Sequence, residues 1–141
     1  MSKRETPMVL WYWDELEGQL IEEFMATKKS EGSGIRLLDG LVILNKKKER
    51  LPVSSRPSIE GEDVVVIQAK NSRLGMYLMG QTLFSRELGL KFKPKSVLSV
   101  ALCSKNDEVL GPMLEKHEGC KVVVCPKEVS DIVSRTKKMN M

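Results

Sequence analysis

A chain of 141 residues with 41% apolar and 30% charged side chains has the length and composition of one folded domain, which excludes a disordered or fibrous protein. Its formal charge of +4 and pI near 9.0 are compatible with an acidic partner such as nucleic acid but do not demand one. No apolar run is long enough to span a bilayer, the start Met1-Ser2-Lys3-Arg4-Glu5 lacks the apolar core of a signal peptide, and three cysteines form no even-numbered disulfide framework. A soluble, cytoplasmic protein with free thiols is expected, folded as a single domain over residues 1–141, with flexible ends at 1–7 and 135–141.

In chain order, residues 9–27 carry a helical pattern. Leu10, Trp13, Leu16, Leu20, Ile21 and Phe24 fall on one arc at 100° per residue, and Glu17 lies inside that arc, where a carboxylate needs a cation, a donor or a position at the rim. The polar, glycine-rich residues 28–34 make a loop. Residues 35–44 then read as strand, turn and strand about Asp39-Gly40, because Asp-Gly between two apolar runs is a hairpin signal. A loop with a lysine run (46–48) and two prolines follows, up to Asp63.

Residues 63–70 (Asp-Val-Val-Val-Ile-Gln-Ala-Lys) read as a strand buried on both faces that ends in two polar side chains. Gln68 and Lys70 are two positions apart and share a face, and polar groups at the margin of a dry core need partners or a ligand. Residues 73–88 are helical, with Leu74, Tyr77, Leu78, Phe84 and Leu88 on one face together with Gln81 and Ser85. A basic connector, Lys91-Phe92-Lys93-Pro94-Lys95, leads to a buried strand at 96–103. A short helix at 112–117, a strand at 120–125 and a helix at 127–134 complete the chain. Helices and strands in this order predict a mixed α/β sheet flanked by helices on both sides.

Other chemistries find little purchase. Cys120 and Cys125 are an odd number of positions apart on one predicted strand and so face opposite ways, which argues against zinc with His117. His117 is the one histidine, in the polar run 115–119, and so is a poor centre for a catalytic triad. No glycine-rich phosphate loop follows the first strand, so no nucleotide cofactor is expected.

The remaining set is Glu17, Asp39, Gln68 and Lys70. A carboxylate on a first helix, an Asp in Leu38-Asp39-Gly40, then Gln68-Ala69-Lys70 ending a neighbouring strand that leads into a helix resembles the PD-(D/E)XK superfamily. That restriction-endonuclease-like fold is shared by restriction enzymes, archaeal Holliday-junction resolvases and recombination nucleases. The resemblance covers residues 13–125. It departs from the motif in two places: Gln68 stands where the pair usually has an acid, a variant found in the endonuclease subunit of some cut-and-paste transposases, and Leu38 replaces the proline.

The resemblance implies a Mg²⁺- or Mn²⁺-dependent endonuclease acting on DNA, of a structure-selective or recombination and repair type, working as a homodimer. Asp39, the Gln68 side chain, the Ala69 carbonyl and Glu17 are then expected to hold the cation, since hard divalent ions take oxygen ligands. Lys70 is expected to orient the attacking water or offset developing charge. Gln81, with Tyr77 one turn before it, is expected behind the metal ligands or near the nucleic-acid backbone. Arg73, Lys91, Lys93 and Lys95 are candidate phosphate contacts. The alternatives are a catalytically inactive nucleic-acid-binding or scaffold module on the same fold, and a Rossmann-like domain in which Asp39 only makes a turn.

Overall fold

The computed structural model describes residues 5–131. Six strands form one sheet: β1 (Gln19–Thr27), β2 (Arg36–Ile43), β3 (Glu49–Arg50), β4 (Asp63–Arg73), β5 (Ser96–Lys105) and β6 (Cys120–Val124), in the order β3-β1-β2-β4-β5-β6. The helices are α1 (Thr6–Leu16), α2 (Met76–Leu90), α3 (Leu110–Glu115) and α4 (Lys127–Ser130). The β1–β2 and β2–β4 pairs are antiparallel, whereas β4–β5 and β5–β6 are parallel, each joined by a helical crossover. This mixed sheet is not a Rossmann-type parallel one.

Alternation along β4 sorts the core. Val65, Ile67 and Ala69 meet Met8, Val9 and Tyr12 of α1, and Val129 of α4 packs on the same side. Val64 and Val66 meet Leu38, Leu41 and Ile43 of β2, with Leu88 of α2 against them. Leu74, Leu78, Ala101, Cys103 and Leu114 close the α2–α3 corner. Helices thus cover both faces, as the sequence predicts. Cys120 and Cys125 belong to clusters on opposite faces. Among the described residues no helix is long and apolar enough to cross a membrane.

Two elements differ from expectation. The helix predicted over 9–27 ends at Leu16, and residues 19–27 are strand β1. The break is set at Gly18, whose φ of +83° suits glycine, and a Cβ there would lie 2.5 Å from the Ile43 carbonyl oxygen. Trp13 Nε1 donates to the Gly18 carbonyl at 2.8 Å and ties the helix to the reversal. Leu20, Ile21 and Phe24 fit a helical arc in sequence, but they are buried in a strand that is irregular at Glu23 (φ +51°).

The second difference is at Asp39-Gly40, which makes no turn and lies inside β2. The actual hairpin joins β1 to β2 through the predicted loop after Thr27. Gly40 serves close packing instead: a Cβ there would sit 3.1 Å from Val9 Cγ1 and 3.4 Å from Ile67 Cδ1, so the bare backbone lets α1 lie down on β2. The arm expected to be loose up to residue 7 is firm from Glu5 onward, with Glu5 buried and α1 starting at Thr6-Pro7. Residues 1–4, the tail expected at 135–141 and the end of the helix expected over 127–134 lie outside the described residues.

Candidate active site

The β2–β4 ladder runs from Ile43↔Val64 to Gly40↔Ile67 and stops, while β4 continues beside β5 through Lys70↔Cys103. The two strands therefore splay after Ile67, leaving the backbone of Gln68 to Lys70 without its neighbour on that side. The Asp39 carboxylate fills the gap, its Oδ2 accepting the Ala69 N–H at 2.9 Å. A buried N–H without a partner is costly, so this bond fixes the carboxylate at the mouth of the splay.

Two further carboxylates gather there. Glu5, buried at the start of α1, accepts from the Asn71 N–H through Oε1 at 3.5 Å, while its Oε2 is buried with no hydrogen-bond partner among the described residues. Glu23 lies opposite Asp39, between the Glu22↔Gly40 and Phe24↔Leu38 pairs. Its φ of +51° is strained for a non-glycine residue. Burial pushes the Asp39 carboxyl above its ordinary range; the Ala69 hydrogen bond and the positive charge of the N-terminus draw it down, and the negative charges of Glu5 and Glu23 push it up again. Asp39 is thus a half-buried acid with two carboxylates among its neighbours.

Gln68 projects to the α2 side, where its Nε2 donates to Ser85 Oγ at 2.9 Å, with both residues buried. Lys70 is exposed at the same end of the sheet. Arg73, the last residue of β4, is exposed and pairs in register with Lys105, so these cations share the end of the sheet with Asp39. Arg73 also faces Asp107, whose carboxyl is held low by the Leu110 and Val109 N–H groups and by that guanidinium.

Several predicted site residues stand elsewhere. Glu17 is exposed, caps the end of α1 with φ +61°, and sits at the level of Ile43, roughly 13 Å along β2 from Asp39 at strand spacing. It is not in the apolar arc, because the helix that would have placed it there has ended. Lys91, Lys93 and Lys95 are exposed beside the start of β4, with the Lys95 N–H on the Glu62 carbonyl, roughly 23 Å along the strand from Lys70. Tyr77 is exposed and Gln81 half-buried on the outer side of α2, next to Gln68. Glu5 and Glu23 are the residues that sequence reasoning missed. The Thr6-Pro7 helix start was the available signal for Glu5; Glu23 had none, because its place depends on the irregularity in β1.

Among the described residues no three His, Cys, Asp or Glu side chains stand close enough to hold a metal ion by themselves. Asp39 and Glu5 are nonetheless two carboxylates close enough to act on each other electrostatically, with one Glu5 oxygen lacking a hydrogen-bond partner among the described residues. That fits a hard divalent cation that retains waters or takes further oxygens from a phosphate.

Neither a family model nor a curated protein sequence matches the chain. Among solved structures, EndoMS in the EndoMS–dsDNA2 complex is similar, with a TM-score of 0.52 and 18% identity over 89% of this chain and 46% of that one. The present chain thus spans less than half the length of that protein. The likeness is one of fold: the chain shares with that protein a mixed α/β sheet flanked by helices.

Proposed function

We propose that the protein is a Mg²⁺- or Mn²⁺-dependent nuclease that hydrolyses phosphodiester bonds of DNA at the mouth of the β2–β4 splay. The observation that carries this reading is the placement of Asp39 on the Ala69 N–H, within the field of Glu5, one oxygen of which has no hydrogen-bond partner among the described residues. Asp39, Glu5 and the Ala69 carbonyl are the residues to hold the cation, Glu5 taking the part that the sequence suggested for Glu17. The cation, when bound, offsets phosphate charge and lowers the pKa of bound water.

The chain's own residues supply the rest. Asp39 is held ready by a backbone donor, so its orientation needs no rearrangement at the moment of reaction. Lys70, at the same end of the sheet, places a compact positive charge where the phosphate develops negative charge. Lys70, Arg73 and Lys105 make that end basic enough to bind a phosphate backbone without reading sequence. DNA as the partner is in keeping with EndoMS, a protein of like fold seen with double-stranded DNA. Two copies acting as a homodimer are part of the proposal, because cutting both strands needs two sites.

One observation favours a second reading, a DNA-binding module without hydrolytic activity. Gln68 stands where the motif has an acid, and one hydrogen of its amide is held by Ser85. The deciding experiment is incubation of linear, nicked and branched DNA with Mg²⁺ or Mn²⁺, beside the Asp39→Ala and Lys70→Ala proteins. Metal-dependent cleavage lost in both variants supports the nuclease. DNA binding with no cleavage of any substrate selects the module, and equal activity in all three proteins marks a contaminant and removes the assignment.

A further inference from the structure

On the α2 side the splay opens into a groove of about 540 Å³ between the exposed start of β2 and the outer face of α2. Its rim is unusually apolar for a surface. Met76 and Tyr77 are each 78% exposed and Phe84 is 70% exposed. Tyr77 and Phe84 are seven residues apart, two helical turns, so their rings stand on one side of α2 roughly 10 Å from each other along the axis. Aromatic rings left in water around an apolar groove mark a binding surface more often than a packing remnant.

The floor differs from the rim. Gln68 lies there with one hydrogen of its amide on Ser85, which leaves the second N–H and the carbonyl oxygen of the same amide for another molecule. Gln81 lines the same wall, and Arg36 faces it from β2. Flat rings above carboxamides match the two surfaces of a nucleobase, a face that stacks and an edge that both donates and accepts hydrogen bonds. An apolar peptide side chain would use the rings but leave the amides unmet.

The groove also lies one residue along the chain from the proposed catalytic position on each strand. Leu38 and Gln68, which line it, are the chain neighbours of Asp39 and Ala69, which form the bond at the splay. A nucleotide whose phosphate reaches Asp39 therefore has this groove beside it for a base. A base inside an intact duplex has both faces covered, so only an unstacked one fits.

We infer that the Tyr77–Phe84 groove receives one unstacked nucleobase next to the phosphodiester that is cut, so the preferred DNA has an unpaired or single-stranded position at the cleavage point. Tyr77 and Phe84 stack on the base, and Gln68 and Gln81 meet its edge. The inference rests on DNA being the ligand, as proposed above, and it deepens that reading by naming the substrate class.

The test separates the two. Binding of the full chain is measured in EDTA, where no hydrolysis occurs, to two oligonucleotides carrying 2-aminopurine, one at a fully paired site and one at an unpaired site of otherwise identical sequence. The expected result is tighter binding and quenched fluorescence for the unpaired probe. Tyr77→Ala and Phe84→Ala should each weaken that binding by roughly tenfold, while Tyr77→Phe keeps it, because the ring carries the stacking. Both side chains are exposed, so the variants should keep the wild-type circular dichroism and melting curve. Equal loss on paired and unpaired probes, or no loss on either, overturns the groove. So does a self-associating wild type that Phe84→Asp renders monomeric, which would assign the face to a second copy. Base binding that behaves as expected without metal-dependent cleavage removes the nuclease reading and leaves the groove standing; cleavage indifferent to both aromatic variants does the reverse.

Discussion

Two buried glutamates flank the middle strands of this sheet, and they are treated in opposite ways. Glu22 of β1 is 3% exposed, and Arg50 of β3 grips it with Nε at 2.6 Å and a second nitrogen at 3.3 Å. Its charge is answered by a planar, two-pronged cation, the usual solution for a carboxylate taken out of water. Glu5 is 8% exposed, yet its Oε2 has no hydrogen-bond partner among the described residues, and it acts on the Asp39 carboxylate. The chain thus answers one buried acid with a guanidinium on β1, and at the β2–β4 splay leaves a carboxylate oxygen with no hydrogen-bond partner among the described residues, the oxygen that the proposed cation would take.

Breaking the unanswered side should have the largest effect. Asp39→Ala is expected to lower kcat for DNA cleavage on the order of 10²–10³-fold or more, measured at saturating Mg²⁺, with the fold unchanged by circular dichroism. On the answered side, Arg50→Met strands the Glu22 carboxylate. Because the guanidinium is half exposed, the expected loss is about 2 kcal/mol in urea unfolding, less than for a fully buried pair. A Glu22→Met, Arg50→Met double variant should recover most of it; failure to recover would mean the pair matters for packing more than for charge.

Supplying the missing partner should stabilise the protein. If Asp39 and Glu5 hold a divalent cation, Mg²⁺ or Mn²⁺ at a hundredfold its Kd adds about 2.7 kcal/mol to the wild type and much less to Asp39→Asn or Glu5→Gln, read as melting temperature against cation concentration. Without metal the order inverts. An acid whose folded pKa is raised contributes stability below its unfolded pKa and loses it as pH rises through the folded value, so ionised Asp39 is a burden at neutral pH. Asp39→Asn is therefore expected to be about 1 kcal/mol more stable than wild type at pH 7, with the difference shrinking as pH falls through the range where Asp39 takes its proton. A constant difference across pH would mean that Asp39 is not the group at fault. The smallest effect concerns the core: burial, with Cys103 and Glu128 nearby, pushes the Cys125 thiol up to about 11, so alkylation at pH 8 should wait on unfolding.

Much of the frame was legible because its signals are local. The apolar run of β4 with Gln68 and Lys70 at its end, the α2 stripe, and the strands near 96 and 120 each announce themselves within a dozen residues. What failed needed distant partners. Leu20, Ile21 and Phe24 suit a helix until the Ile43 carbonyl oxygen is known to press on Gly18. Asp39-Gly40 suits a turn until the Ala69 N–H and the Val9 side chain arrive to hold it straight. At the proposed site, Asp39 and Lys70 lie at one end of the sheet, as their strand positions suggest, whereas Glu17 lies outside it because the first helix ends at Leu16.

The bond between Asp39 and the Ala69 N–H has one more consequence. It couples a titrating carboxylate to a single amide proton in the middle of an otherwise ordinary strand. In a ¹H–¹⁵N spectrum the Ala69 resonance should act as a built-in indicator, moving with the protonation of Asp39 and again when a cation takes a share of that carboxylate. The chemistry of the cleft can thus be followed by spectroscopy at one nucleus, in the absence of substrate or turnover.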